Sequence, residues 1–282
     1  MSDERPVVTP AATPAGTHAA RRVVRAAPAL RSVTALAAFE LRLTARRGEN
    51  VLVTLIIPVA VLLFFGGSTV GAGLASTPLD DTRRALVPGS IALAIIAAGL
   101  VNLGIATAYE RSYGVLKRLG AAPLPRWGLF AAKAAALLVL EVVQVALLWL
   151  VAAVAFGWGP GPAWSPILAV ATLVLGTLAF AGLGLLLAGT LRAEATLAVA
   201  NGLFLGFLML GGLIVPVEQM PAFLKPLSAA LPATALVDLL RIALDSGAAP
   251  PASAVGAIRP LGILLAWAAG AILLATRTFR WD

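Results

Sequence analysis

The chain has 282 residues, of which 60% are hydrophobic and only 12% are charged. Ordinary soluble domains contain roughly a quarter charged residues, so one soluble core cannot hide this much apolar surface. A soluble enzyme, a nucleic-acid-binding protein and a disordered protein are therefore poor interpretations, and we expect lipid to surround most of the chain. The net charge of +8 does not indicate nucleic acid, because the basic residues sort by membrane side.

The chain contains no cysteine and a single histidine, His18. The absence of cysteine excludes disulfides, thiolate metal sites and cysteine nucleophiles. Because His18 lies in a Pro/Ala/Thr-rich segment, we expect no catalytic residue, no metal site and no cofactor bound by this chain. Residues 1–28 predict a disordered cytoplasmic tail, with a regulatory or targeting segment as the alternative.

Residues 29–50 place Leu36, Phe39 and Leu43 at three- and four-residue spacing, with arginines between them. This pattern predicts an amphipathic helix that lies in the headgroup layer, with its arginines near anionic lipid. The alternative is a cytoplasmic extension of the first membrane span.

Six apolar segments follow between residues 51 and 276, and each is near the length that crosses a hydrocarbon core. The sequence predicts spans at about 51–66, 86–108, 133–156, 167–190, 196–215 and 258–276. Pro58 predicts a kink in the first span. The predicted fold class is therefore an all-α integral membrane protein, with six transmembrane helices preceded by an interfacial helix.

The placement of basic residues predicts the orientation of these spans. With the N-terminus in the cytoplasm, 16 of the 21 Lys and Arg residues lie on the inner side. The positive-inside rule then predicts that both termini are cytoplasmic, including residues 277–282, and that the number of spans is even. Residues 109–132 become a cytoplasmic connection, and residues 216–257 become an external one with short helices.

The cytoplasmic connection contains a segment with the composition of a docking helix. Residues Glu110–Gly120 predict about three helical turns, because Pro123 and Pro125 stop the helix beyond them. A helix this short is not stable alone in water, so it needs a surface on which to dock. On the residues alone, an ordinary positive-inside loop is an equally good interpretation.

The segment ERSYGVLKRLGAAPLPRWGLFAAK resembles the coupling-helix signature of the ABC-2 family of ATP-binding-cassette permeases. The shared features are an acidic–basic pair, a glycine, a basic Leu-rich turn and a Pro-x-Pro exit. Pro216, Pro221 and Pro232 in the external connection, and the amphipathic entry before the first span, resemble the same family. The resemblance covers about 29–276, and drug-resistance exporters of the daunorubicin-exporter type are the most similar branch.

The resemblance implies an ABC-2, type V exporter-like architecture in the bacterial plasma membrane. It implies a half transporter that pairs with a second permease subunit, as a homodimer or heterodimer, and binds two cytoplasmic ATPase subunits. ATP and Mg would bind to that ATPase, and the cargo would be a hydrophobic or amphiphilic compound such as a drug, an antibiotic or a lipid-like molecule. The residues that the resemblance implies for ATPase coupling are Glu110, Arg111, Tyr113, Gly114, Leu116, Lys117, Arg118 and Leu119.

The lysines give a separate argument about ATP. A phosphate-binding loop requires the pattern G-x-x-x-x-G-K-[ST]. The chain has the lysines Lys117, Lys133 and Lys225, and none of them follows a glycine. We therefore predict a transport subunit that is not itself an enzyme, with ATPase activity supplied by a separate polypeptide.

Few polar residues lie within the predicted spans. Glu141 and Gln144 lie one turn apart in the third span, while Asn102 lies in the second span and Asn201 in the fifth. A charge at mid-membrane costs roughly 2.5–3.5 kcal/mol, so we expect Glu141 to face the protein interior or a wet cavity. These residues either tie helices together by hydrogen bonds or line the transport path, and both interpretations stay open.

Gly202 and Gly206 form a GxxxG step in the fifth span. Small residues let two helix backbones approach closely, so the step predicts either a dimer contact or packing within one subunit.

Two alternative functions would each require a sequence feature that distinguishes them from a transport subunit. An ion- or proton-coupled secondary carrier would show internal repeats and interrupted helices, and no convincing repeat is present. A membrane-embedded lipid-modifying enzyme would need a cluster of acidic or His residues at one depth. Glu141 is the sole acidic residue inside a predicted span. The sequence does not identify the cargo.

Overall fold

The computed structural model describes residues 29–46, 48–67, 79–120, 126–213, 217–245 and 254–279, and every regular element in these ranges is helical. The all-α membrane fold class expected from the sequence is confirmed. The predicted tail at 1–28, the last residues 280–282, and Pro123, Pro125 and Pro216 lie outside the described residues.

The first two helices are separated at residue 47. Helix α1 (Ala29–Arg46) ends four residues before the predicted boundary at 50, and α2 (Gly48–Gly67) begins three residues before the predicted span at 51. Helix α1 packs mainly against the third long helix, α6, defined below, and turns Val33 inward while Leu30 and Phe39 stay exposed. Its apolar face therefore rests on the protein, and exposed apolar residues remain for lipid.

The second predicted span is one continuous helical rod from 79 to 112. It consists of α3 (Leu79–Ile96), a π-helical segment (Ala97–Leu103) and α4 (Gly104–Ser112). The π-helical segment, which the sequence pattern does not predict, packs against the helix Pro166–Thr190 through glycines. A Cβ atom on Gly99 would lie 2.8 Å from the backbone nitrogen of Ala181, so only glycine fits without movement.

The remaining long helices differ from the predicted spans mainly at their ends. They are α6 (Arg126–Phe156), α7 (Pro166–Thr190), α8 (Ala193–Leu210) and α11 (Ala254–Thr278), and short helix α5 (Val115–Gly120) precedes them. Helix α6 begins seven residues before the predicted span at 133, and α8 ends at Leu210 where the sequence predicts 215. Helix α7 lies at the centre, because it contacts α3, α4, α6, α8 and α11.

Five helices in the described ranges are long and apolar enough to cross a membrane. They are Arg83–Ser112, Trp127–Phe156, Pro166–Thr190, Ala193–Leu210 and Gly256–Thr278. A shorter apolar helix, Leu55–Gly67, lies within α2 and contains Pro58. The chain is thus a multi-pass membrane protein, and the count of six spans stays a prediction.

The connection between α8 and α11 folds back into the helix bundle. It contains a 3-10 turn (Val217–Gln219), α9 (Lys225–Ala230) and α10 (Pro232–Ala243), and α10 is buried throughout except for half-buried Asp238. Arg241 of α10 is buried and donates from Nη2 to Gly212 O at 2.8 Å. Helical structure in this connection was predicted, but its burial was not, because Arg241 reads as a solvated residue.

Candidate functional site

The predicted coupling helix at 110–120 is wrong as one continuous helix. Helix α4 runs to Ser112, Tyr113 and Gly114 form a turn, and α5 starts at Val115. Gly114 has φ of +70°, a left-handed conformation that glycine adopts without the steric cost of a side chain. The turn therefore separates Glu110 and Arg111, at the end of the long rod, from the basic residues of α5.

Helix α5 is anchored to the bundle by Leu116, which is fully buried. Its apolar cluster, hereafter the inner cluster, brings together residues of α5, α6, α7 and the end of α11: Leu116, Leu129, Phe130, Leu185, Ala275 and Phe279. Because Leu116 packs inside its own subunit, it does not face a partner, although the resemblance implies it as an ATPase-coupling residue. The side chain of Leu119 lies outside the described residues.

The outward surface of this segment has both apolar and basic side chains. Tyr113 is 75% exposed and Val115 is 42% exposed, and Lys117 and Arg118 are also exposed. The Tyr113 ring stacks on that of Tyr109, with 6.1 Å between ring centroids. These four residues, Tyr113, Val115, Lys117 and Arg118, form what we call the coupling surface.

A buried ion cluster lies directly behind this surface. Lys133 of α6 has its Nζ atom 2.8 Å from Glu40 Oε1 of α1 and 2.7 Å from Glu110 Oε2 of α4. The Lys133 side chain is 1% exposed, and the two carboxylates are 12% and 13% exposed. A buried lysine requires such partners, because an unpaired buried charge is costly. The sequence pattern missed this cluster and read Lys133 as an inner-side cation.

Arg111 also points into its own subunit. Its Nη2 atom donates to the backbone oxygen of Leu191, the residue that follows the last turn of α7. A guanidinium at the C-terminal end of a helix satisfies free carbonyls and complements the helix dipole. Glu110 and Arg111, predicted as docking residues, thus brace the end of α4 against α6 and α7.

Glu141 and Gln144 are both buried on the inner face of α6, at 1% and 3% exposed. Thr177 of α7 donates through its hydroxyl to Glu141 Oε2, which forms a hydrogen bond between two long helices. The other carboxylate oxygen, Oε1, has no hydrogen-bond partner among the described residues. Glu141 is therefore bonded to a neighbouring helix through Thr177.

The two asparagines and the GxxxG glycines lie toward the surface of the subunit. Asn102 is exposed on the π-helical segment, and Asn201 is exposed on α8 with its side-chain nitrogen donating to Leu197 O of the same helix. Within the described residues, Asn201 thus does not tie helices together. A Cβ atom on Gly202 or Gly206 would meet nothing within 4 Å, so this step does not pack inside the described subunit.

The described residues contain no group of three or more His, Cys, Asp or Glu side chains arranged to hold a metal ion. The Glu40–Lys133–Glu110 cluster combines two carboxylates with an ammonium group.

Comparisons with known proteins identify the family of this chain. The family description "ABC-2 type transporter" matches residues 31–244. The chain is 24% identical over 203 residues to the "Putative transport permease YvfS" of Bacillus subtilis (strain 168), covering 68% of this chain and 77% of that protein. It is 27% identical over 155 residues to the "Probable multidrug ABC transporter permease YbhR" of Escherichia coli (strain K12), covering 54% of this chain and 41% of that protein. The family match spans most of the described helices, and the chain belongs to the ABC-2 type transporter family, as a membrane subunit of an ABC transporter.

Proposed function

We propose that this chain couples ATP hydrolysis by a separate ATPase subunit to the export of a hydrophobic or amphiphilic compound, such as a drug, an antibiotic or a lipid-like molecule. The observation that supports the proposal is the coupling surface, four exposed residues on short helix α5 and the turn before it, with Leu116 holding α5 against the bundle. The Escherichia coli relative is named as a probable multidrug ABC transporter permease, which favours the same class of cargo.

The packing of α5 and of the end of α4 against the long helices explains how a force on the coupling surface would reach the membrane spans. A six-residue helix cannot hold its own shape in water, but Leu116 seats α5 in the inner cluster. Glu110 and Arg111 fix the end of α4 to α6 and α7. A push on Tyr113 or Val115 therefore moves the cytoplasmic ends of several long helices together, because packed side chains transmit displacement.

The proposed assembly contains two permease subunits and two ATPase subunits in the bacterial plasma membrane, with both permease termini cytoplasmic. The GxxxG step at Gly202 and Gly206 is not packed against another described part of the subunit. This supports contact with a second permease subunit, because small residues let helix backbones approach closely. The resemblance to the family implies a cargo path near the second and fifth predicted spans, at the dimer axis.

The test is to co-express the chain with a candidate ATPase, purify the membrane complex, and measure ATPase recovery and ATP-dependent transport in vesicles. Val115→Asp and Tyr113→Ala are expected to reduce recovery and transport, while membrane insertion and thermal stability stay unchanged. Thr34→Asp, at an exposed position on α1, is the matched control and is expected to behave as the unmodified chain.

Leu116 is unsuitable for this test, because a charge there would disrupt the inner cluster and the fold. Unchanged recovery and transport in both coupling-surface variants would contradict the proposal. Transport driven by an imposed ion gradient without ATP would instead favour a secondary carrier.

A further inference from the structure

A cavity of about 140 Å³ opens between α1, α2, the π-helical segment with α4, and α6. Most of its wall is apolar, from residues such as Leu43, Leu103 and Leu137. One end is ionic, because Glu40, Glu110 and Lys133 all line it. The cavity is thus complementary to an amphiphilic ligand, because its wall is apolar and one end is charged.

The charged end carries an excess of negative charge. Lys133 binds one oxygen of Glu40 and one oxygen of Glu110, so two carboxylates face a single ammonium. These three are the ionisable residues of the cavity lining, and the nearby Arg111 is directed away to Leu191 O. A second positive charge would neutralise the net negative charge of the cluster, whereas an anion would increase that negative charge.

A second cavity of about 450 Å³ adjoins the first along the same face of the second span. The two cavities share Asn102, Ala106 and Glu110. Tyr109 and Tyr113 line the second cavity, and aromatic faces attract cations. An ammonium near Glu110 would therefore have a carboxylate and the two tyrosines close to it on one face of the helix.

The size of the first cavity limits the apolar part of a ligand. A cavity of about 150 Å³ in another protein accommodates one benzene molecule, so this one takes a single ring or one alkyl arm. A polycyclic body would have to extend into the adjoining cavity.

We propose that this cavity binds an amphiphilic amine as a monocation. The ammonium lies against Glu40 and Glu110, and one hydrocarbon arm lies among the leucines. The inference rests on the proposed function only for its consequence, that such amines are cargo. Binding itself is a property of the isolated chain and is measured without any ATPase.

The test uses the purified full chain in phosphatidylcholine nanodiscs and labelled decylammonium as the probe, with empty nanodiscs subtracted. Unlabelled decylammonium, decanol and decanoate compete in separate arms, because they share one chain and differ in charge. Saturable binding with the order decylammonium, then decanol, then decanoate is expected. Equal competition by decanoate would overturn the proposal.

Two charge variants locate the site. Glu110→Gln and Glu40→Gln each remove one negative charge at nearly constant shape, and each is expected to weaken decylammonium binding by about tenfold while decanol competition stays unchanged. Glu194→Gln removes an exposed carboxylate in α8 as the control. If both cavity variants bind the amine as tightly as the control, the assignment is wrong.

A filling variant tests the apolar wall. Ala106→Leu adds volume where the two cavities meet and leaves the charge unaltered, so it is expected to weaken decylammonium and decanol alike. Ala195→Leu at an exposed position is its control. Unchanged binding in Ala106→Leu would contradict the site. If the chain recruits an ATPase but binds decylammonium no more tightly than decanoate, this inference alone is overturned. If the chain binds decylammonium preferentially but recruits no ATPase, the proposed function alone is overturned.

Discussion

Lys133 Nζ lies 2.7 Å from Glu110 Oε2, so an ion pair joins α6 to the last turns of the rod that leads into the coupling surface. The pair is buried, and Glu40 of α1 binds the same ammonium group at 2.8 Å. Three separate elements of the chain therefore meet at one ammonium group just behind the proposed docking site.

Lys133→Met is expected to destabilise the protein strongly, because it leaves two largely buried carboxylates facing each other. Removing one partner of a buried ion pair typically costs about 3–5 kcal/mol. Thermal unfolding in detergent measures the effect as a lowered midpoint. Lys117→Met, at an exposed position on α5, serves as the control and is expected to change stability by less than about 0.5 kcal/mol. Equal midpoints for the two variants would contradict the cluster.

Leu116→Ala and Val115→Ala are adjacent truncations with opposite expected readouts. Leu116 is fully buried, so its truncation is expected to lower the free energy of unfolding by about 2–5 kcal/mol. Val115 is 42% exposed, so its truncation is expected to reduce ATPase association with little loss of stability. Thermal unfolding and co-purification, measured on the same samples, separate the two. A stable Leu116→Ala variant that fails only in association would show that Leu116 faces the partner.

Gly99→Ala is expected to destabilise the contact between the π-helical segment and α7. The added Cβ would lie 2.8 Å from the backbone nitrogen of Ala181, and relieving such overpacking costs typically about 1–3 kcal/mol. Gly262→Ala in α11 meets nothing within 4 Å and is expected to keep or slightly raise stability. The difference between the two unfolding midpoints is the measurement. A Gly99→Ala midpoint equal to that of Gly262→Ala would argue against close packing.

Gly206→Leu is expected to leave the fold of one subunit intact and to weaken subunit pairing. A Cβ atom at this position would meet no neighbouring element of the described chain within 4 Å, so a larger side chain begins in open space. Mass measurement of single particles in nanodiscs reports the fraction of dimers. Gly270→Leu, at an equally open position on α11, is the comparison variant. A dimer fraction that matches in the two variants would remove α8 from the interface.

Thr177→Val tests whether the Glu141 hydrogen bond between α6 and α7 stabilises the fold. The change deletes the hydroxyl at nearly constant volume and leaves the buried carboxyl of Glu141 without its partner. Loss of such a partner is expected to cost about 1–3 kcal/mol. Thr190→Val is the control, since Thr190 is exposed and bonds only within its own helix. Unfolding midpoints that coincide would leave Glu141 available for a role in transport.

The helical membrane class, the amphipathic entry and the approximate positions of the apolar helices follow from the sequence alone. Hydropathy is a property of contiguous residues, so a window of about 20 residues predicts a span without knowledge of its neighbours. The identification of the segment around 110–120 as special also came from local composition and resemblance. Its break at Gly114 was not anticipated, because glycine is tolerated within helical patterns and local composition does not show that Gly114 adopts a positive φ.

Tertiary structure alone decided which side chains face inward. Leu116 and Val115 are neighbours of similar polarity, yet one is buried against α6, α7 and α11 while the other stays exposed. Lys133 meets Glu40 from 93 positions earlier in the chain, and no local pattern encodes such a meeting. The pairing of residues depends on how helices that are distant in sequence pack against one another. The helices themselves depend on contiguous stretches of apolar residues, which are a local property of the sequence.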